Sequence, residues 1–150
     1  MRGLFIVPLF LPALAAALPQ LVNAQDTAFN AHRGISIGVT QVAVREKLGK
    51  VKEEFSDEDD FDISETESMR VFYSPEKKVK AVVITFTGKL ETAPAPNTVV
   101  GEKIDPKPDG GLFKMVQMPK KGYWVSYLKT AGDTPTVMIT LQEMPKSGSN

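Results

Sequence analysis

The 150-residue chain contains no cysteine, one histidine (His32) and one tryptophan (Trp124). Without cysteine there is no disulfide framework, no thiol nucleophile, no Cys-ligated zinc and no iron–sulfur cluster. A single histidine excludes His-rich metal sites, so we expect no metal ion and no other cofactor. The 18 basic and 18 acidic residues cancel. Nucleic-acid binders usually carry a basic excess, so we expect no nucleic-acid partner. The 42% of hydrophobic residues is enough for a folded core.

Residues 1–24 have the three-part pattern of a signal peptide. Arg2 supplies the positive start, 4–18 is an apolar stretch interrupted by two prolines, and small residues precede a cleavage site between Ala24 and Gln25. The interrupted stretch is too short to span a bilayer, and no later stretch is long and apolar enough. No cysteine follows the cleavage site to accept a lipid. We therefore expect an exported chain, periplasmic or secreted, with neither a membrane span nor a lipid anchor.

Charge is unevenly distributed along the mature chain. Residues 25–67 contain five basic and eleven acidic residues, whereas 68–150 contain twelve basic and seven acidic residues. Nine of the acidic residues lie in the segment 53–67. Neither Asp57 nor Asp60, taken as the first position of an EF-hand loop, places glycine at the sixth position. We interpret 53–67 as an inserted, solvated loop whose charges repel one another. Alternatively, it lies against the basic second half, in the same or another molecule.

The first elements of the mature chain are predicted to be an arm and a short helix. Residues 25–34 are polar and are expected to form a flexible N-terminal arm with a solvated His32, although a lone histidine can also act as a base or a metal ligand. Thr40 is a suitable N-cap residue for a helix with two apolar residues on one face. Gly49 is expected to end that helix.

The remainder of the chain has the pattern of an antiparallel sheet. Residues 79–87 are apolar on both faces, which predicts a central strand. A single helical turn is predicted over 97–101. Turn residues separate the other segments that are rich in β-formers, so the sequence predicts an α+β fold of short helices packed on an antiparallel sheet. The expected domain is 35–144, followed by a tail, 145–150. The predicted strands are 69–74, 79–87, 112–118, 123–130 and 136–142.

A faint internal repeat accompanies these elements. Aligning Pro75 with Pro119, 44 positions apart, superposes two strand–turn–strand units. Each unit follows a short helical segment that ends at glycine, Gly49 in the first and Gly101 in the second. We therefore expect two tandem helix-plus-hairpin units, 35–90 and 94–144, that form one continuous sheet.

One motif is typical of enzymes. Residues 34–38 read Gly-Ile-Ser-Ile-Gly, the G-x-S-x-G pattern of α/β-hydrolases. That fold requires a histidine after the serine in chain order, whereas His32 precedes Ser36. Without a base, a serine hydroxyl is a weak nucleophile. A small serine hydrolase using Ser36 is therefore a remote alternative, and we predict no catalytic residue.

The best candidate binding residues form a cationic, aromatic hairpin. Lysines next to aromatic rings can hold anionic or sugar ligands, and Trp and Tyr are frequent at protein interfaces. On an alternating strand Trp124 lies on one face and the two tyrosines on the other, so one set belongs to the core. The candidate residues are Lys120, Lys121, Tyr123, Trp124 and Tyr127.

The predicted helix carries a family resemblance. Gly38, Thr40, Val44, Leu48 and Gly49 follow the spacing G-x-T-x-x-x-V-x-x-x-L-G. This segment resembles the helix entry of BamE-like (SmpA/OmlA-type) envelope proteins, which share a small α+β fold with β-lactamase-inhibitor proteins. The resemblance implies helices packed on an antiparallel sheet, in tandem units in the inhibitor form. The matched positions are structural and carry no site residues. This chain lacks the lipid-accepting cysteine of the envelope-assembly members.

Together these patterns predict a non-enzymatic interaction module that binds another envelope or secreted protein. The alternative is a protein that binds a small ligand, a glycan or an anionic lipid through the cationic, aromatic hairpin.

Overall fold

The computed structural model describes residues 29–145. The predicted signal peptide, residues 25–28 of the arm and residues 146–150 of the tail lie outside the described residues. Two short helices and seven strands follow one another, with 3₁₀ turns at Leu90–Thr92 and Pro119–Lys121. In chain order the elements are α1 (Gln41–Leu48), β1 (Glu53–Glu54), β2 (Glu58–Asp62), β3 (Glu67–Tyr73), β4 (Val79–Phe86), α2 (Pro96–Val100), β5 (Leu112–Met118), β6 (Tyr123–Lys129) and β7 (Val137–Glu143).

The strands form one antiparallel sheet in the order β1-β2-β3-β4-β7-β6-β5. The predicted α+β class is confirmed, and β4 is central, as its apolar residues on both faces predicted. Cross-strand pairs continue the core across the middle of the sheet, where Ile84 of β4 lies opposite Ile139 of β7. Ile84 and Ile139 have no exposed surface.

The helices cover one face of this sheet. Helix α1 begins as predicted, because the Thr40 side chain accepts a hydrogen bond from the Ala43 N–H, and it ends at Gly49, whose φ of 82° suits glycine. Val44 of α1 and Val99 of α2 are fully buried among the strand side chains. Alternate residues of β3, β4, β6 and β7 point into this core, and every strand also presents a second face.

The acidic segment is not a solvated loop, which corrects the prediction for 53–67. It forms β1 and β2, and Asp59 is completely buried on the helix-covered face. Two Arg45 donors hold the Asp59 carboxylate, Nε at 2.9 Å and Nη2 at 2.8 Å, and the Tyr73 hydroxyl donates to it at 2.9 Å. Burial alone would raise the pKa of Asp59, but the hydrogen bonds from Arg45 and Tyr73 outweigh it and hold that pKa below its usual value.

Other carboxylates of this segment are paired across the strands. Arg70 of β3 binds Asp60 of β2 through two hydrogen bonds of 2.6 and 2.7 Å, and Lys52 contacts Asp62 at 3.1 Å. The basic partners therefore come mainly from the first half of the chain and from β3. Like-charge repulsion is offset locally, and this permits strand formation by so acidic a sequence.

The described part of the N-terminal arm is also ordered by a carboxylate, which corrects the prediction of a solvated His32. Glu67 is 6% exposed, and His32 Nε2 lies 2.7 Å from its Oε1. Arg33 donates to both Glu67 oxygens, Nε at 2.8 Å and Nη2 at 2.7 Å. The Arg33 hydrogen bonds hold the pKa of Glu67 below its usual range, against the effect of burial. The His32 ring also packs edge-on against Phe86.

The strand order relates the two predicted units differently from the 44-residue alignment. Each helix precedes a three-stranded meander, β2-β3-β4 after α1 and β5-β6-β7 after α2, and the last strands of the two meanders pair at the centre. By this symmetry β3 corresponds to β6, whereas the alignment of Pro75 with Pro119 matched β3 with β5. The alignment therefore matches each strand of the first unit with the strand before its topological equivalent in the second unit. A common origin of the two units stays a prediction.

Candidate functional site

The sheet face opposite the two helices is the candidate functional site, and we call it the open face. Cross-strand partners lie on the same face of a sheet, so the register gives the open face as three rows that run from β5 to β2. The first row is Phe113, Leu128, Met138, Thr85, Ser68 and Asp62. The second is Met115, Ser126, Thr140, Val83, Arg70 and Asp60. The third is Gln117, Trp124, Gln142, Ala81, Phe72 and Glu58.

Within the three rows, charge is confined to the β3 and β2 end of the open face, and Lys80, at the irregularity in β4, lies outside the rows. The twelve positions on β5, β6, β7 and β4 include no charged residue, and seven of them are apolar. Charged side chains begin at β3 with Arg70 and continue on β2 with Asp60 and Glu58. An apolar centre with a polar border is the usual composition of a protein-binding surface, because charged groups are costly to desolvate.

The apolar end of the open face is accessible to a partner. Phe113 is 48% exposed and Met115 is 46% exposed, and both lie on the edge strand β5. Trp124, on the neighbouring strand, is half-buried between its cross-strand partners Gln117 and Gln142. A tryptophan flanked by amides and beside exposed apolar side chains can contribute a large apolar area together with a hydrogen-bond donor.

The structure divides the five predicted binding residues between the two faces. Tyr123 and Tyr127 are 6% and 3% exposed on the helix-covered side, and burial raises the pKa of both hydroxyls. Within residues 29–145 the buried Tyr123 hydroxyl has no hydrogen-bond partner. Trp124 alone lies on the open face. Of the two sets that alternation left undecided, the tyrosines are therefore the core set, and they cannot contact a partner directly.

The two predicted lysines lie at the end of the edge hairpin. Lys120 and Lys121 are exposed in the 3₁₀ turn that joins β5 to β6. Gly122, with a φ of 77°, closes this turn and returns the chain to Tyr123. The lysines therefore border the open face near Gln117 and Trp124 and do not form one cluster with the tyrosines.

A cleft of about 1090 Å³ lies over the third-row border of the open face, farther along the sheet from the β5–β6 turn. Its floor includes Phe72, Ala81 and Val83, and Lys78 and Lys80 line its side. The cleft is large enough for a small molecule, and its lining combines an apolar floor with charged groups. Sequence reasoning did not identify it, because it forms where the segment before α1 meets β3, β4 and β7.

The residues of the G-x-S-x-G motif do not form a nucleophile and base pair. Ser36 is half-buried, and among the described residues its hydroxyl makes no hydrogen bond to a base. The His32 ring is instead bound to Glu67. Ser36 thus lacks an activating contact in this arrangement. Across 29–145, no three His, Asp or Glu side chains are placed together so as to hold a metal ion.

The open face was missed in the sequence, although a signal for it was present. Both faces of the strand over residues 79–87 are apolar, and this was used only to predict a central position. The two predicted helices cannot cover both faces of a sheet of five predicted strands, so the sequence already indicates one face without a predicted helix. The alternation of Phe113 and Met115 with Leu112 and Val116 carries the same signal on β5.

Comparisons of the chain with family models, with curated proteins and with solved structures found no match. The resemblance to BamE-like and β-lactamase-inhibitor proteins therefore stays a prediction. Of the two α-helices between residues 29 and 145, neither reaches the length and apolar content that crossing a bilayer requires.

Proposed function

We propose that this chain is an exported, non-enzymatic interaction module that binds another envelope or secreted protein on its open face. The observation that carries the proposal is the run of twelve uncharged positions on four adjacent strands, with no helix of the described part over them. Single exposed apolar residues are normal on soluble proteins, whereas here the exposed Phe113 and Met115 adjoin the half-buried Trp124, Leu128 and Met138 in one apolar patch, which supports a binding surface.

The dimensions of the uncharged region fit part of a protein interface. Four strands about 4.8 Å apart and three rows about 6.8 Å apart give a region of roughly 400 Å² in plan. A standard interface buries about 800 Å² on each partner, so the region is large enough for the apolar centre of one. The remaining contacts would come from the border, at the β5–β6 turn and on β2.

The charges of the border favour a particular kind of partner surface. The β2 end of the open face presents Glu58 and Asp60, next to the acidic strand β1. Arg70 offsets Asp60. We therefore expect the partner to present an apolar patch with lysines or arginines along one side, because complementary charge steers association and fixes its register.

The test compares matched substitutions on the two sides of the molecule. Met115→Glu places a charge on the open face, and Val42→Glu places the same charge on the outer surface of α1, where Val42 is 67% exposed. The baits are the mature chain 25–150, these two variants and Trp124→Ala, each incubated with exported proteins of the source cells. Circular dichroism first checks that all four baits are folded.

We expect Met115→Glu and Trp124→Ala to weaken capture of a specific protein about tenfold or more, as truncation of a central interface residue does. Val42→Glu should capture it as well as the wild type does. Equal capture by all baits, or loss with Val42→Glu alone, would overturn docking on the open face.

The cleft favours one second candidate, a small ligand held on its apolar floor, where Glu76 and Glu143 lie beside Lys78 and Lys80 in the lining. Thermal shift of the mature chain with glycans and with anionic phospholipid vesicles tests it, since a ligand that binds only the folded state raises Tm. A rise that Lys80→Ala abolishes would favour the cleft over the open face, and an unchanged Tm would dismiss it.

A further inference from the structure

The two edges of the sheet are built differently. The β1 edge has two residues, both glutamates, and short charged edges resist pairing with other strands. The β5 edge has seven residues, of which Phe113 and Met115 are exposed and apolar. A long apolar edge strand is the kind that accepts an additional strand.

Hydrogen bonds at both ends of β6 show to which side each residue of β5 directs its main-chain N–H and C=O groups. The Met144 N–H donates to the Gly122 carbonyl at 2.8 Å, and the Thr130 N–H donates to the Thr136 carbonyl at 2.9 Å. The main-chain groups of even-numbered residues of β6 therefore point to β7, and those of odd-numbered residues point to β5. The β5 residues opposite the odd-numbered ones are Leu112, Lys114, Val116 and Met118.

The remaining three residues of β5 direct their main-chain groups away from the sheet. These are Phe113, Met115 and Gln117, and their side chains also lie on the open face. The Gly111 carbonyl points to the same outer side, where it accepts a hydrogen bond from the Lys107 N–H at 2.8 Å. Beyond Gly111, no group within 29–145 hydrogen-bonds to the outward main chain of β5. Three N–H and three C=O groups are thus available in strand geometry.

Charge indicates what this edge accepts. Residues 111–131 contain four lysines and no acidic residue, whereas 102–110, just before β5, contain two lysines and three acidic residues. Lys107 lies at the start of β5, with its ammonium 5.4 Å from the centre of the Phe113 ring, and Lys120 lies just beyond the end of β5. In the middle, Glu102 pairs with Lys114 at 3.0 Å. An extended segment with acidic residues near its ends would meet a lysine at each end of the edge.

We propose that the β5 edge binds an extended, acidic segment of a partner protein as an eighth strand. Main-chain hydrogen bonds to Phe113, Met115 and Gln117 provide the attachment, and alternate apolar residues of the segment extend the open face. A second copy of this chain is a poorer occupant, because pairing β5 with β5 brings two lysine-rich hairpins together. This pairing uses main-chain groups and is independent of docking on the open face.

The probe is a ten-residue peptide with two glutamates at each end and alternating threonine and valine between them. Its control has lysines in place of the glutamates. Amide hydrogen exchange of the mature chain, followed residue by residue by NMR, is the readout. In the free protein the amides of Phe113, Met115 and Gln117 should exchange fast and those of Lys114 and Val116 slowly.

We expect the acidic peptide to slow exchange at the three outward amides at least tenfold and the lysine peptide to have no effect. Absence of protection at millimolar acidic peptide, or equal protection by both peptides, would overturn the proposal. Protection that rises with protein concentration without peptide would identify a second copy as the occupant and would also overturn it.

Two variants separate edge pairing from side-chain docking. Met115→Pro removes an outward N–H and leaves the bonds to β6 intact, and we expect it to weaken peptide binding at least tenfold. Met115→Thr keeps the N–H and should bind within about threefold of the wild type, since pairing rests on the main chain. If Met115→Pro proves unfolded, a peptide N-methylated at alternate residues replaces it and should not bind.

Failure of edge pairing is distinguishable from failure of open-face docking. If capture of the natural partner is lost with Trp124→Ala and falls equally with Met115→Pro and Met115→Thr, docking on the open face stands and edge pairing is overturned.

Discussion

Replacing Arg45 by methionine tests how the buried carboxylate of β2 is stabilised. Arg45→Met removes two charge-assisted hydrogen bonds, of 2.9 and 2.8 Å, from Asp59, which has no exposed surface. Breaking a buried ion pair by removing one partner costs about 3–5 kcal/mol, because the other charge stays buried. Asp59 keeps the Tyr73 hydroxyl, so we expect the lower end, about 3 kcal/mol. In a domain of this size that lowers Tm by roughly 10 °C.

Arg70→Met is the matched control for this substitution. Arg70 also binds a carboxylate, that of Asp60, through two short hydrogen bonds, but its side chain is 51% exposed. An exposed pair contributes about 0–1 kcal/mol. Urea denaturation at pH 7 followed by far-UV circular dichroism gives both free energies of unfolding. Equal losses for the two variants, or a loss under 1 kcal/mol for Arg45→Met, would refute the argument that burial makes the first pair the more important one.

The Arg45–Asp59 pair also predicts how the stability of the fold changes with pH. In the wild type the pKa of Asp59 is lower in the folded protein than in the unfolded chain. The pair's contribution is therefore complete above about pH 4 and is lost as the pH falls through the folded-state pKa. In Arg45→Met the buried, less-compensated carboxyl has a raised pKa, so that variant gains stability as the pH falls. The difference in Tm between the two proteins should narrow from pH 7 to pH 4, and a widening would contradict the assignment.

Three further predictions concern the rest of the described fold. Thr40→Ala removes the N-cap of α1 and should cost about 1 kcal/mol in urea denaturation, and a change near zero would mean that the cap does not stabilise this helix. Ile139→Ala, on the covered face, should lower the free energy of unfolding by about 3–4 kcal/mol, whereas Met138→Ala, on the open face, should lower it by under about 1 kcal/mol. The reverse order would mean that the open face, and not the helix-covered one, is the core side. Millimolar calcium should leave Tm unchanged, because basic side chains already hold carboxylates of the acidic segment, and a rise of several degrees would show a cation site.

Local patterns predicted the elements whose stabilising contacts are local. The Thr40 cap and the Gly49 stop lie within a few residues of the helix they bound. The strand predicted over 136–142 is confirmed by β7, in which Val137, Ile139 and Leu141 alternate with less buried residues. In each case the physical cause, a capping bond or a period of two, is contained in a short window of sequence.

The acidic segment could not be predicted in this way, because its stabilising partners are distant in sequence. Asp59 is bound by Arg45, 14 positions before it, and by Tyr73, 14 positions after it. Glu67 is bound by Arg33, 34 positions before it. Charge density alone predicts repulsion, and only the paired arrangement of strands and helix brings each carboxylate to its cation.

The candidate site was predicted in part. Alternation separated Trp124 from Tyr123 and Tyr127 but could not say which set faced the core, because that depends on the side the helices cover. The neighbours of Trp124 on the open face come from strands β5 and β7 and are defined by register. Register is set by the whole sheet, so the surface as a unit became visible only in the structure.

Hydroxyl-radical footprinting of the mature chain with its captured partner tests the central claim most directly. Oxidation is measured by mass spectrometry at Trp124, Met115 and Met138 on the open face. Phe55, 47% exposed at the β1 edge, serves as the control. Docking on the open face predicts slower oxidation of the three open-face residues on binding and an unchanged rate at Phe55. Unchanged oxidation at all three, with protection elsewhere on the molecule, would contradict it.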